Sequence, residues 1–146
     1  MILDRAEIAQ LIPHAGSMCL LDHVIAWDKD SIRCRSGRHR ARDNPLCYAG
    51  RLGMLSGIEF AAQAMAVHGR LSGAIGARPR VGFIVALRDI VCGAGPLDDV
   101  AEDLTIDATH LMGDDARVAY SFAVSGDGRT LVGGRATVLL QADMTA

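Results

Sequence analysis

The sequence predicts an α+β fold in which a curved antiparallel sheet wraps around one central buried helix. Residues 57–67 carry a single charge, Glu59, so this helix is apolar on every side and belongs in an interior. From residue 81 onward the pattern is that of strands, with an Asp-Gly turn at 127–128 that is typical of a hairpin. A helix of this kind needs cover all round, so we expect the sheet to curve about it and a second copy to complete the burial.

The chain is long enough for one domain with its own core, and we expect a single domain over residues 1–146. A net charge of -2 and an aromatic content of 4% argue against nucleic acid as a partner. No apolar run has the length of a membrane span, and the N-terminus carries acids where a signal peptide needs a basic start. We therefore expect a cytoplasmic protein without a membrane partner.

The first half of the chain contains few regular elements. Asp4, with Glu7 three residues later, predicts a helix start, and Pro13 ends that helix. Strands are predicted over 18–27 and 31–37. The stretch 38–53 has no period and is a long loop, which in compact domains is usually functional.

The second half contains the buried helix and the main strands. The helix should run from about Met54 to Leu71, with Gly73 marking its end. Strands should follow over 81–87, 100–111, 117–124 and 131–140, and residues 143–146 should form a loose tail.

The four cysteines do not indicate a metal site. They are separated too widely for a Cys-x-x-Cys pair, and none has a histidine at ligand spacing: Cys19, Cys34, Cys47 and Cys92. Buried thiols in a reducing compartment explain them, and we expect no metal and no cofactor.

Glu59 is the strongest candidate for a functional side chain. A carboxylate stranded in an apolar helix costs several kcal/mol, so it must be paired, hydrogen-bonded or functional. Gln63 lies four residues on and shares its helix face. We interpret this polar stripe as the wall of a reaction cleft, while a structural acid bonded to a loop N–H or an arginine remains the alternative.

Two motifs show a resemblance to a known family. Residues 12–24 (Ile-Pro-His-Ala-Gly-Ser-Met-Cys-Leu-Leu-Asp-His-Val) and 57–65 (Gly-Ile-Glu-Phe-Ala-Ala-Gln-Ala-Met) resemble the entrance motif and central helix of the 3-hydroxyacyl-acyl-carrier-protein dehydratases, which have the hot-dog fold. His39, Asn-Pro-Leu at 44–46, and Gly-Arg-Leu at 50–52 are most similar to the dehydratases of aryl polyene pathways. The later strands agree in order and length, so the resemblance covers nearly the whole chain.

One feature departs from the family pattern. The family places its catalytic histidine close upstream of a Pro-Gly that opens the helix. This chain has no histidine between His39 and Glu59, and the proline is missing. If His39 is the base, the loop that follows it must fold back.

The resemblance implies dehydration of a 3-hydroxyacyl thioester on acyl carrier protein, whose phosphopantetheine arm carries the substrate. Histidine suits the removal of a proton near neutral pH, and a carboxyl in apolar surroundings retains a proton that it can donate. The hypothesis is that His39 is the base, Glu59 is the acid and Gln63 orients Glu59. A backbone N–H near Gly53 or Met54, at the helix start, would polarise the thioester. In this family the histidine and the acid come from different subunits.

Other basic residues have competing interpretations. Arg38, Arg40 and Arg42 could dock an acidic carrier protein and its phosphate, or form a solvated face. His39 itself could be a surface residue among these arginines. The other histidines are expected to be structural: His14 at a helix end, His68 at the end of the central helix where the dipole favours a cation, and His23 and His110 in strands.

Two further functions remain open at this point. A thioesterase on the same fold would use Glu59 to activate water. Alternatively, the chain could be a weakly catalytic partner of a second hot-dog subunit, since mixed assemblies of this fold exist and His39 is displaced. We expect a homodimer or a larger assembly, with such a heterodimer as a possibility.

Overall fold

The computed structural model describes residues 2–13, 16–73, 82–114 and 116–140. It contains one antiparallel sheet of seven strands in the order β1-β2-β3-β5-β6-β7-β4. The strands are β1 (Leu3–Asp4), β2 (His23–Trp27), β3 (Ser31–Ser36), β4 (Gly82–Cys92), β5 (Leu104–Gly113), β6 (Arg117–Gly126) and β7 (Arg129–Leu140), and the helices are α1 (Arg5–Ala9) and α2 (Gly57–Ser72). The predicted α+β architecture is confirmed, although the sheet is open and does not close into a barrel.

The N-terminal segment differs from the prediction at two points. α1 begins with the predicted capping box, in which the side chains of Asp4 and Glu7 each bond the other's backbone N–H, but it ends at Ala9. The strand expected over 18–27 begins only at His23. Residues 18–20 lie outside the ladder because their backbone groups bond the side chain of Gln63 on α2. The expectations for His14 and for the tail 143–146 fall outside the described residues.

Strand alternation places the apolar side chains under α2. On β6, Val118, Tyr120, Phe122 and Val124 are buried, and the intervening residues are half-buried on the other face. On β5, Leu104, Ile106 and Ala108 are buried in the same way, as their spacing predicts. The core therefore lies between this face of the sheet and the helix.

The central helix lies very close to the sheet at its start. A Cβ added to Gly57 would come within 2.6 Å of Cγ1 of Val132 on β7, so only glycine fits there without displacing a branched side chain. A short 3-10 turn over Met54–Ser56 precedes α2, and Gly73 ends it in the left-handed conformation with φ of 79°. The predicted helix is thus confirmed, with α2 beginning three residues after the predicted Met54 and ending one residue after the predicted Leu71.

The strand β4 forms one edge of the sheet. It pairs with β7 and has no partner on its other side within the described residues. Phe83, Val85 and Leu87 alternate along it and are all exposed. An exposed apolar edge of this kind is a template for pairing with another chain. None of the helices in the described ranges is long and apolar enough to cross a membrane.

Candidate active site

A cavity of about 520 Å³ lies between α2 and the ends of β4, β6 and β7. Its helix wall includes Glu59, Ala62 and Ala66, which share one face because they are three and four residues apart. The sheet contributes mainly apolar side chains, among them Val118 and Tyr120. A cavity of this size and composition is suited to a small organic ligand.

The carboxyl of Glu59 is available to a ligand in this cavity. Glu59 lies in the first turn of α2, is exposed within the protomer and lines the cavity wall. Within the described residues it makes no ion pair and no hydrogen bond through its side chain. The structural alternative, in which the acid is held by an arginine or a loop N–H, is therefore not what the described residues show.

Gln63 lines the same cavity but its amide is directed to the chain segment beside it. Its Oε1 accepts a hydrogen bond from the N–H of Leu20 at 2.8 Å, and its Nε2 donates to the carbonyl of Met18 at 2.6 Å. The predicted orienting contact with Glu59 does not occur among the hydrogen bonds of the described residues. A buried amide satisfies nearby backbone groups first, because leaving them unpaired costs about 1–3 kcal/mol each. Gln63 therefore fixes residues 18–20 against the helix.

His39 lies in a short 3-10 turn over Arg38–Arg40 and is fully buried. Its Nε2 is 2.9 Å from the carbonyl of Val100, and because a carbonyl can only accept, Nε2 carries the proton. Nδ1 then holds the lone pair, and no donor contacts it within the described part of the chain. Burial lowers the pKa of His39, which favours the neutral ring. His39 does not line the Glu59 cavity of its own protomer.

The start of the helix is anchored by the segment that follows β4. The N–H of Leu52 donates to Asp98 at 3.0 Å, and its carbonyl accepts from the N–H of Leu97 at 2.7 Å. Arg51 forms ion pairs with Asp98 and Asp99. The N–H of Leu52, first among several groups, lowers the pKa of Asp98. These contacts hold the peptides that precede Gly53 and Met54 in one position.

Gly53 and Met54, the predicted donors, lie where this anchored segment meets the 3-10 turn before α2. Met54 is buried, whereas Gly53 is exposed and a Cβ on it would have no atom of a described residue within 4 Å. Its φ of -68° suits any residue, so neither its conformation nor its packing against the described residues requires glycine at this position.

Two of the three arginines expected to contact a carrier protein are paired within the chain. Arg38 bonds Asp43 at 3.2 Å, and Arg40 bonds both Asp103 and the carbonyl of Ala101. Arg42 is exposed and makes no ion pair with any described residue. Among the three, Arg42 is therefore the best placed to meet an external anion.

A buried polar pair beside the cavity was not expected from the sequence. The ring of His68 is fully buried, with Nδ1 2.6 Å from the hydroxyl of Tyr120 and Nε2 2.9 Å from the carbonyl of Asp28. Since the carbonyl accepts from Nε2, the hydroxyl of Tyr120 donates to Nδ1. His110 packs edge-on against Tyr120, with ring centroids 5.4 Å apart.

His68 was expected to complement the helix dipole as a cation, and this expectation is wrong. Burial, first among several causes, lowers the pKa of His68 and favours the neutral ring. The burial of His68 could have been predicted from its spacing in the sequence. His68 follows the buried residues Ala61 and Ala64 at helical intervals and so belongs to the core face of the helix.

The model of the ApeP-like family, described as ApeP dehydratase, matches residues 6–146. Among curated proteins no match was found.

Solved structures share the fold. The dehydratase heterocomplex ApeI:P from Xenorhabdus doucetiae contains a chain with 24% identity and a TM-score of 0.79, covering 93% of this chain and 91% of that one. A thioesterase from Haemophilus influenzae matches with 11% identity and a TM-score of 0.65, over 100% of this chain and 97% of its own. A mutant thioesterase from Pseudomonas aeruginosa gives 14% identity and a TM-score of 0.60, over 97% of both chains. These likenesses confirm the hot-dog fold.

The burial of His39 and His68 predicts that stability falls as the pH is lowered below about 6.5. Burial lowers the pKa of each ring in the folded state, so the unfolded chain binds protons that the folded chain does not. Between pH 7.5 and 5.5 we expect the free energy of unfolding to decrease by up to about 1.4 kcal/mol per histidine, as measured by urea denaturation.

His68→Gln tests this prediction because it removes a buried ring. His23→Gln is the control because His23 is exposed. The first should weaken the pH dependence and the second should leave it unchanged. A wild-type free energy of unfolding that is constant or increases toward pH 5.5 would contradict neutral burial of these rings.

Proposed function

The chain belongs to the ApeP-like dehydratase family, and from this we propose that it converts 3-hydroxyacyl thioesters on acyl carrier protein into trans-2-enoyl thioesters. The pathway would be a biosynthesis of the fatty acid or aryl polyene type. The observation that carries the proposal is the carboxyl of Glu59, which lines a largely apolar cavity and has no cation or donor bound to it among the described residues.

The reaction needs three groups. A base removes the proton from the carbon next to the thioester carbonyl, an acid protonates the hydroxyl that leaves as water, and N–H donors stabilise the enolate oxygen. Glu59 is the acid in this proposal. Its carboxyl makes no ion pair with a described residue, and the cavity beside it has room for the substrate carbons.

We assign the base to His39 of a second subunit, as the resemblance implies. Two observations support this role: the hydrogen bond to Val100 fixes one tautomer, and the neutral ring keeps a lone pair on Nδ1. The ring is covered within its own protomer, so the role requires that the turn over Arg38–Arg40 open toward the substrate. The same hydrogen bond would also suit a purely structural residue that holds Val100 in place. The variant His39→Gln distinguishes the two roles.

The thioester oxygen would be bound by the N–H groups of Gly53 or Met54. The anchoring of Leu52 by Asp98 and Leu97 supports this assignment because preorganised donors stabilise developing charge without reorganisation. The open space next to Gly53 lets a ligand approach the backbone closely. Gln63 is a supporting residue that holds the cavity wall through residues 18–20.

A second hot-dog subunit is the partner that the exposed edge of β4 fits. Phe83, Val85 and Leu87 give this edge an apolar side, and pairing there would extend the sheet. The partner could be a second copy or a different hot-dog chain; the dehydratase from Xenorhabdus doucetiae is itself described as a heterocomplex. Arg42 is available for the acidic carrier because it makes no ion pair with a described residue. Arg38 and Arg40, by contrast, are already paired with aspartates of this chain.

Replacement of Glu59 by glutamine should lower kcat by about 10²- to 10⁴-fold, because the amide keeps the shape but cannot give up a proton as an acid. Formation of the enoyl thioester measures the rate, and circular dichroism checks the fold. Glu102→Gln, at an exposed acid that does not line the Glu59 cavity, is the control and should retain activity. Near-normal turnover of the Glu59 variant would disprove the assignment, and release of free acid and thiol would identify a thioesterase.

His39→Gln separates a catalytic base from a structural brace. Glutamine can still donate a hydrogen bond to Val100 from its Nε2, but it has no basic nitrogen. If His39 is the base, kcat should decrease at least about 100-fold while the melting temperature stays close to that of the wild type. Retained turnover would show that His39 only holds Val100 in place.

The edge of β4 can be tested by Val85→Lys, which should lower the assembly mass in light scattering because a charge there opposes strand pairing. Met112→Lys, at a residue 70% exposed on β5, is the control and should leave the mass unchanged. Activity of the purified chain distinguishes the possible partners: an active chain needs no other subunit, and an inactive chain rescued by a second hot-dog subunit is part of a heteromer. A β4 variant with the wild-type oligomer mass would exclude this edge as the interface.

A further inference from the structure

One stripe of α2 is covered less than the rest of the helix. Glu59 is exposed and Ala62, Ala66 and Arg70 are half-buried, whereas the residues between them on the other faces are almost all buried. The first three line the cavity. The two alanines have the smallest side chains that a helix favours, so they leave a groove that begins at the proposed catalytic acid.

The length of this groove follows from helix geometry. The rise of 1.5 Å per residue separates Glu59 from Ala66 by about 10 Å along the axis. An extended chain advances about 1.2 Å per bond, so this length holds roughly eight chain atoms. The opposite wall is apolar and includes Ile84, Val118 and Val138.

The groove changes character after Ala66. Arg70, one turn further on the same stripe, is not among the residues that line the cavity, so on the helix side the described apolar lining extends only to Ala66. On the sheet side, Tyr120 lines the cavity, and its hydroxyl is held at 2.6 Å by His68. A ring fixed in this way cannot turn aside to lengthen the groove, so the apolar space is of limited length.

We propose that Ala62 and Ala66 determine the acyl length of the substrate, which is a 3-hydroxyacyl thioester with a linear apolar chain of up to roughly eight carbons beyond the reacting pair. This inference rests on the proposed dehydratase function, because it places the reacting carbons at Glu59. Ala62 selects against bulk near the reacting carbons, and Ala66 sets the limit one turn further along.

The test places the same side chain at two points of the groove. Ala62→Leu and Ala66→Leu are assayed with 3-hydroxyacyl thioesters of increasing chain length, together with the partner subunit if activity needs one. Each variant should lose at least about tenfold in kcat/KM once the chain reaches the leucine. Since the two positions are four residues apart, the lengths at which activity falls should differ by about five chain atoms, with Ala62→Leu failing at the shorter length.

Ala123→Leu is the matched control. Ala123 lies on β6 between the buried residues Phe122 and Val124 and so faces the other side of the sheet. It should keep the wild-type length profile. If a leucine at 66 prevents folding, Ala66→Val should produce the same shift at a slightly greater length.

The outcomes separate this inference from the function on which it rests. Equal losses at every chain length for the two alanine positions, or unchanged profiles, would overturn the length limit while a dehydratase activity remained. A wild-type assembly that dehydrates no 3-hydroxyacyl thioester of any length would instead remove the proposed function. A length profile that shifts with the position of the leucine supports both.

Discussion

The packing of an almost wholly apolar helix against one face of the sheet is the constraint on which this structure depends. Gly57 brings the helix start close to Val132, and inward-facing residues of β5 and β6 fill the space beneath it. Close packing of this kind leaves little room for polar groups, so each one must have a partner or a use. Glu59 is exposed at the start of the helix stripe that the protomer does not bury, and among the described residues its carboxyl lines a cavity instead of bonding a partner.

A second organising feature is the segment from Pro96 to Asp103. It bonds Leu52 before the helix start, accepts the hydrogen bond of His39 through Val100, and pairs with Arg51 and Arg40. The long loop before α2 therefore has a fixed conformation although it contains little regular structure. Its shape is determined by contacts with residues more than 40 positions away, and the proposed donors and base are both tied to the same short segment.

Much of the fold could be read from residue patterns. Periodicity located the central helix and the strands β5, β6 and β7, and the capping box and Gly73 marked helix ends, because these signals depend on neighbours in the chain. The strand predicted from residue 18 began late, since Gln63 takes the backbone groups of Met18 and Leu20. β1 was not anticipated because two residues are too few to show a period.

The sequence by itself determined that one carboxyl would sit in an apolar helix within a sheet, since composition and spacing are local properties. Only the tertiary structure decided what each polar side chain contacts. Gln63 bonds a distant loop, His39 bonds Val100, and the neutral ring of His68 accepts from Tyr120, all through partners at least 40 residues apart. No short sequence window contains both members of such a pair, because the partners meet only when distant segments pack together in the folded chain.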